Sequence, residues 1–284
     1  MMNKGIIAIN KPKGWTSFDV VNKLKHMVKP LKVGHLGTLD PMATGVLLVT
    51  VGKATKLFDI MQEKTKTYVA EFEFGKLTDT LDDTGKIIKT EPVESFSDKQ
   101  IVTVLNKFVG EINQIPPKYS AKSINGVRAY TLARNNQEFD LPAKKVTIHN
   151  INFINYNNGI LKLEICCGSG TYIRALGRDI ATELNTIATM TSLVRTKVGN
   201  VKIENCLEIS KLDKENVYDF IMPINKILDM SNINLTDNFK FKVLNGQIID
   251  VDLPDGVYVL NDENDVVALI KISKFKAKMS LFLG

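Results

Sequence analysis

Between Thr67 and Gly75 the chain alternates strictly. Tyr68, Ala70, Phe72 and Phe74 share one face of an extended segment, and Glu71 and Glu73 lie on the other. A period of two marks a strand with one buried and one solvated face. Helical periods occur in the same chain. Val20, Val21, Leu24, Met27 and Val28 follow Ser17, which reads as an N-cap, and Pro30 ends that helix. Residues 53–61 place Leu57, Ile60 and Met61 on one helical face, and Ser97 caps a helix carrying Ile101, Val104, Leu105 and Phe108. Residues 5–9, 46–51 and 193–198 read as strands, and 173–184 as a helix. Residues 148–156 and 160–167 read as a hairpin turning at Asn157-Asn158-Gly159. The class expected is α/β (α+β). Residues 225–230 are short and polar and mark a candidate boundary, giving units 1–225 and 226–284. Beyond it the runs 239–243, 247–251, 256–260, 265–272 and 280–283 read as strands of a small β-rich domain.

With 44% hydrophobic residues in 284, the chain is too apolar for wholesale disorder. No run approaches the roughly 18 apolar residues of a membrane span. The apolar run at 5–9 is too short for a signal peptide, and Asn10-Lys11-Pro12-Lys13 follows at once. A cytoplasmic protein with no membrane partner is expected. Three cysteines (Cys166, Cys167, Cys206), two of them adjacent, make no disulfide framework, and the histidines His26, His35 and His149 lie far from them. No metal site is expected.

The net charge of +6 is unevenly spread. Residues 1–66 hold eleven lysines against Asp19, Asp40, Asp59 and Glu63, a net of +7, whereas residues 226–284 sum to −1. A basic surface attracts polyanions, nucleic acid above all, though lysines also serve solubility. Residues 118–145 are weakly periodic. They interleave Lys118, Lys122, Arg128, Arg134, Lys144 and Lys145 with Tyr119 and Tyr130, as a segment that orders on a partner or a surface helical hairpin would.

Two glycine patterns fail as phosphate loops. Gly45 to Gly52-Lys53 has the wrong spacing and Ala54 where a hydroxyl would hold magnesium, and Gly168-Ser169-Gly170 is followed by Ile173 where a third small residue belongs. The stretch Gly34-His35-Leu36-Gly37-Thr38-Leu39-Asp40-Pro41-Met42-Ala43-Thr44-Gly45 is more informative. It is a tight loop feeding a strand, with Asp40 biased to extended geometry by Pro41 and glycines that permit close backbone approach. On these grounds Asp40 is a turn-former, a cap or a catalytic carboxylate.

This stretch, continued through Val46-Leu47-Leu48-Val49, resembles the catalytic motif of the TruB family of tRNA pseudouridine synthases. Six further blocks resemble that family in chain order. They are Asn10-Lys11-Pro12-Lys13-Gly14-Trp15-Thr16-Ser17, Lys66-Thr67-Tyr68, Asp79 through Gly85, Ile115-Pro116-Pro117-Lys118-Tyr119-Ser120-Ala121, Gly168 through Arg174, and Leu193-Val194-Arg195-Thr196. The likeness covers roughly residues 5–210. It implies a pseudouridine synthase fold, a mixed and largely antiparallel sheet flanked by helices, and a small RNA-binding, PUA-like appendage at the C-terminus.

The resemblance also implies a reaction: uridine 55 in the T-loop of tRNA is detached from its ribose, turned and rejoined through C5, with no cofactor. Asp40 is the implied nucleophile, Arg174 its ion-pair partner, and Tyr68 a stacking and proton-exchanging group on the base. Tyr172 and Leu193 are implied pocket walls. His35 is implied to help unstack the target nucleotide, an extrusion that the chemistry demands. Lys11, Lys13 and residues 118–145 are expected to contact the RNA backbone. A monomer without an obligatory protein partner is expected. Two alternatives stand beside it: a tRNA-folding chaperone, and a guide-RNA-dependent synthase subunit.

Overall fold

The computed structural model describes residues 3–284 apart from 94, 121, 125, 136, 138, 263 and 264, and the side chains of 62, 123, 124, 128, 134 and 262 also lie outside it. The chain begins with β1 (Gly5–Lys11), α1 (Ser17–Met27), β2 (Val33–His35), β3 (Thr44–Val51), a 3-10 turn (Gly52–Leu57) and α2 (Phe58–Gln62). It continues with β4 (Lys66–Phe74), β5 (Lys76–Thr78), β6 (Ile87–Thr90), α3 (Asp98–Asn106), β7 (Gly110–Gln114), β8 (Ser123–Ile124), β9 (Val127–Arg128) and α4 (Ala129–Arg134). Then come β10 (Lys144–Asn157), β11 (Ile160–Cys167), α5 (Ile173–Glu183), β12 (Ala188–Val198), β13 (Val201–Lys202) and β14 (Leu207–Glu208). The chain ends with α6 (Asn225–Leu228), α7 (Asp237–Leu244), β15 (Ile249–Asp250), β16 (Gly256–Asp262), β17 (Asp265–Ser273) and β18 (Lys276–Phe282).

Two compact units emerge. One comprises Met1–Leu39, Val46–Gln62 and Gly199–Gly284, the other Asp40–Gly45 and Glu63–Val198. The expected boundary at 225/226 falls inside the first unit. Residues on both sides of 225 meet Lys4 and Ile6. The Ile6 N–H and C=O pair with the backbone of Met222 at 3.0 and 2.9 Å. The Lys4 ammonium donates to the carbonyls of Val266 and Leu283, both at 2.9 Å, and meets Asp265 Oδ2 at 3.0 Å. Linker and C-terminal sheet are thus tied to the N-terminal strand. Lys56 donates to the Phe282 carbonyl at 3.0 Å and Lys53 to that of Gly284. Part of the N-terminal lysine excess is therefore engaged by carbonyls of the same chain.

In this unit the apolar run of β1 (Ile6, Ile7, Ala8, Ile9) and that of β3 (Val46 to Val49) are fully buried, with Val20 and Leu24 of α1 in the same core. The N-cap of α1 is Thr16, not Ser17. Thr16 and Asp19 form a reciprocal capping box. Ser17 instead has its hydroxyl on the backbone of Leu39, accepting from its N–H at 2.9 Å and donating to its carbonyl at 3.2 Å. The C-terminal strands form an antiparallel sheet in the order β15-β18-β17-β16 around Ile233, Leu260, Ala268, Ile270 and Ile272. Residues 239–243, expected as strand, belong to α7. Phe239 and Val243 are four apart, so this short alternation also fits a helix face, and Phe241 is left 68% exposed. Residues 53–61 are a 3-10 turn running into a short helix rather than one helix.

In the second unit β12, β4, β11, β10 and β7 pair antiparallel in that order. Thr44 and Gly45 pair parallel with Val194 and Arg195. The expected alternation in β4 is complete: Tyr68, Ala70, Phe72 and Phe74 are buried. The β10–β11 turn has Asn158 at φ +51° and Gly159 at φ +77°, the type I′ conformation that Asn-Gly favours. Helix α5 packs on the Tyr68 face of β4. A Cβ at Gly177 would lie 2.1 Å from the Phe72 ring, so only glycine allows that approach. Of the 118–145 segment, β8 and β9 form a small hairpin leading into α4, rather than a helical hairpin. The Arg128 and Arg134 side chains lie outside the described residues. Among the described residues no helix is long and apolar enough to cross a membrane.

Candidate active site

Asp40 opens a β-turn closed by the Ala43 N–H donating to the Asp40 carbonyl at 3.0 Å. Pro41 takes the second turn position, which its fixed φ suits. The Asp40 side chain is 35% exposed, yet its Oδ2 lies 2.9 Å from Nε of Arg174, whose side chain is 7% exposed. Arg174 stands in the first turn of α5, where the helix dipole disfavours a cation. Two carboxylates offset this. Besides Asp40, Oδ2 of Asp82 lies 3.3 Å from Nη1. The guanidinium also donates to the carbonyl of Thr80 at 2.8 Å and to that of Tyr119 at 3.1 Å.

Asp82 is the residue that sequence reasoning missed. It comes from the 79–85 turn, whose several carboxylates look alike in sequence. The fold buries this one, at 6% exposure of its side chain. Its Oδ1 accepts from the hydroxyls of Thr80 (2.8 Å) and Thr84 (2.5 Å) and from the Thr84 N–H (3.1 Å). The turn is pinned to β12 by Met190, whose N–H donates to Leu81 and whose carbonyl accepts from Asp83. Arg174 is therefore fixed from one side by an ordered Asp/Thr turn and presents its Nε to Asp40.

Tyr68 is buried on the α5 face of the sheet. Burial raises its phenol pKa, the Arg195 guanidinium opposes that, and the Asp40 charge adds to it. Leu193 pairs with Ala70 and Arg195 with Tyr68, so these four side chains share one face. Tyr172, the N-cap of α5, also has a phenol pKa raised by burial, with Arg174 opposing and Asp40 reinforcing. Its backbone is held by Gln114. The Gln114 side-chain N–H donates to the Tyr172 carbonyl at 3.1 Å, and its carbonyl oxygen accepts the Tyr172 N–H at 2.9 Å. Asp40, Tyr68, Arg174, Tyr172 and Leu193 thus come together within one unit.

His35, Lys11 and Lys13 belong to the other unit. His35 ends β2, opposite Val49 of β3. Lys11 does not have the surface position expected of a phosphate contact. It is fully buried, and its ammonium donates to the carbonyls of Pro12 at 3.0 Å and Trp15 at 2.5 Å. It organises the turn after β1. Among the described residues no group of three or more His, Cys, Asp or Glu is placed to hold a metal ion.

Lys66, at the start of β4, is also buried. Burial, with Arg195 nearby, pulls its pKa from 10.5 down to about 8. Between those values the unfolded chain keeps a proton that the folded chain has lost, so this group makes stability rise with pH from about 8 to 10.5. Below 8 the cost of the buried ammonium is present in full. Cys167 acts oppositely. Burial lifts its thiol to about 11, so stability falls as pH rises from 9 towards 11. Comparing Lys66→Met with wild type by denaturant unfolding isolates the lysine. The variant's stability advantage is expected to be largest at pH 7 and to shrink steadily up to pH 10. A difference flat across that range would mean that the ammonium reaches water.

Residues 25–173 match the TruB family pseudouridylate synthase (N terminal domain). Three relatives carry the name tRNA pseudouridine synthase B. That of Clostridium kluyveri is 44% identical over 85% of this chain and 84% of its own. That of Clostridium tetani is 40% identical over 95% and 93%, and that of Bacteroides fragilis 46% identical over 75% and 95%. Among solved structures, a chain of a Cbf5-Nop10-Gar1 complex superposes with a TM-score of 0.74 at 23% identity, covering 98% of this chain and 84% of that one, which speaks to the fold. The matched residues include Asp40, Tyr68 and Asp82 and reach Ile173, one residue short of the arginine that the two carboxylates meet. The chain belongs to the TruB family of pseudouridylate synthases.

Proposed function

We propose that the chain isomerises uridine 55 in the T-loop of tRNA to pseudouridine, with Asp40 as the nucleophile. The observation that carries this reading is the half-exposed Asp40 carboxylate, held at 2.9 Å by a buried arginine that is itself fixed by Asp82. A carboxylate held in place and kept ionised by an arginine can act as a covalent nucleophile on an incoming ribose or base carbon. The buried Tyr68 phenol supplies a flat surface and an exchangeable proton, and Tyr172 and Leu193 wall the uracil pocket. Relatives named for tRNA, 40–46% identical, support tRNA as substrate. His35 takes the place of the extruded nucleotide, and Lys13 and the basic residues of 118–145 contact phosphates. The C-terminal sheet adds RNA contact. The protein acts as a cytoplasmic monomer, with no guide RNA or protein partner.

The test is an unmodified tRNA transcript incubated with the protein alone and mapped for pseudouridine at every uridine. Product confined to the T-loop uridine is expected, and none on a transcript carrying cytidine there. Tight binding without product would favour the chaperone reading. Product appearing only after a guide RNA is added would favour the guide-dependent one.

A further inference from the structure

Arg195 is the largest fully buried side chain among the described residues, at 1% exposure. It lies in β12 between two partners, Gly45 on one side and Tyr68 on the other. Directly opposed residues of an antiparallel pair project from the same face about 5 Å apart at Cβ, so guanidinium and phenol are neighbours by register alone. A guanidinium in a dry place is costly, and more so beside Lys66, a second cation lowered partly by Arg195 itself.

We propose that Arg195 is the positioning residue of Tyr68: its guanidinium holds the phenol oxygen, fixing the ring and the direction of the hydroxyl proton before the target base arrives. A tyrosine oxygen that accepts from arginine must donate its own proton elsewhere. The rigid fork of the guanidinium fixes that direction better than an ammonium could. The opposing effect of Arg195 on the raised Tyr68 pKa agrees with the contact. The inference rests on the proposed function for what Tyr68 faces, but not for the contact itself.

Two readouts separate positioning from scaffolding. The first is the titration of Tyr68 in the free enzyme, followed by NMR with tyrosine labelled at Cζ and assigned with Tyr68→Phe among the seven tyrosines. The second is kcat and KM on a tRNA transcript. Arg195→Met is expected to push the Tyr68 pKa higher still, because the opposing cation is gone while burial stays. It should lower kcat about 100-fold, the scale of a misplaced catalytic group, with KM changed less than about 3-fold. Arg195→Lys should keep the Tyr68 pKa near wild type yet lose about 10-fold in kcat. A Tyr68 pKa unmoved in Arg195→Met, or falling towards 10 as a loosened core admits water, overturns the proposal. So does an unchanged kcat. If Arg195→Met does not fold, Arg195→Lys decides alone: unchanged kcat, or a loss residing in KM, overturns it. Wild-type protein inactive on tRNA would instead sink the proposed function, and the phenol titration would still judge Arg195.

Discussion

Asp40→Asn is expected to abolish pseudouridine formation, by at least about 1,000-fold, while tRNA binding and thermal stability stay close to wild type. The substitution keeps the shape of the side chain and an oxygen that can accept from Arg174 Nε. It removes the negative charge and with it the nucleophile. Its small cost to the fold follows from the network around Arg174. Losing one partner of a buried ion pair is severe when the remaining charge is stranded. Here Arg174 retains Asp82 and the carbonyls of Thr80 and Tyr119, and Asp40 is the exposed member of the set. The loss in stability should therefore stay near 1 kcal/mol, the scale of a partly exposed pair. Asp82→Asn is the informative contrast. It touches the buried carboxylate that orders the 79–85 turn, so it should lower Tm more than Asp40→Asn does. Mapping pseudouridine on a transcript, with binding and melting measured on the same samples, checks both. Product from Asp40→Asn at wild-type rate would remove Asp40 from the chemistry.

The parts legible in the sequence were those with a local cause. Alternation in β4 and Asn-Gly at the hairpin each follow from a few adjacent residues, and both took the expected form. The pairing of Arg174 with Asp40 had a weaker local hint, a cation at a helix start that asks for a counter-charge. The residues that complete the site had none of that kind. Nothing local distinguishes Asp82 from Asp79 or Asp83. Tertiary register turns one carboxylate towards Arg174, while Asp79 accepts from the Lys86 N–H and the Tyr119 hydroxyl. Arg195 did carry a signal. It shares parity with Leu193 on an apolar strand, and a charge on a buried face marks a paired or functional group. Lys11 shows the converse. A lysine in a basic stretch reads as surface, yet Ile7, Ile9 and Lys11 share parity, and here the ammonium is absorbed by carbonyls of its own turn. The ties of Lys4 and Ile6 to partners more than 200 residues away were equally invisible, because no local pattern marks them.

Gly45→Ala should be the most damaging single methyl group that can be added near the site. Gly45 has φ +102°, a conformation that a residue with a Cβ avoids, and an added Cβ would lie 2.2 Å from the carbonyl oxygen of Arg195 and 2.9 Å from its carbon and nitrogen. These are backbone atoms in a paired strand, so they cannot swing aside as a side chain would. Relief requires breaking the Thr44–Val194 and Arg195–Gly45 pairing, which anchors the end of the loop that begins at Asp40. The glycine thus serves an approach of the chain to itself rather than to a ligand. Gly14→Ala is the control, because Gly14 has φ +85° but nothing within 4 Å of the added carbon. It should cost about 1 kcal/mol, the penalty of the left-handed backbone alone. Gly45→Ala should cost about 3–5 kcal/mol, as strained and overpacked sites do. Its folded fraction should also lose activity, since both Asp40 and Arg195 shift with the loop. Denaturant unfolding of the two variants side by side, with turnover normalised to folded protein, separates these effects. Equal costs would mean that the β3–β12 junction yields without strain, and that the position of Asp40 depends on Arg174 rather than on the strand that follows it.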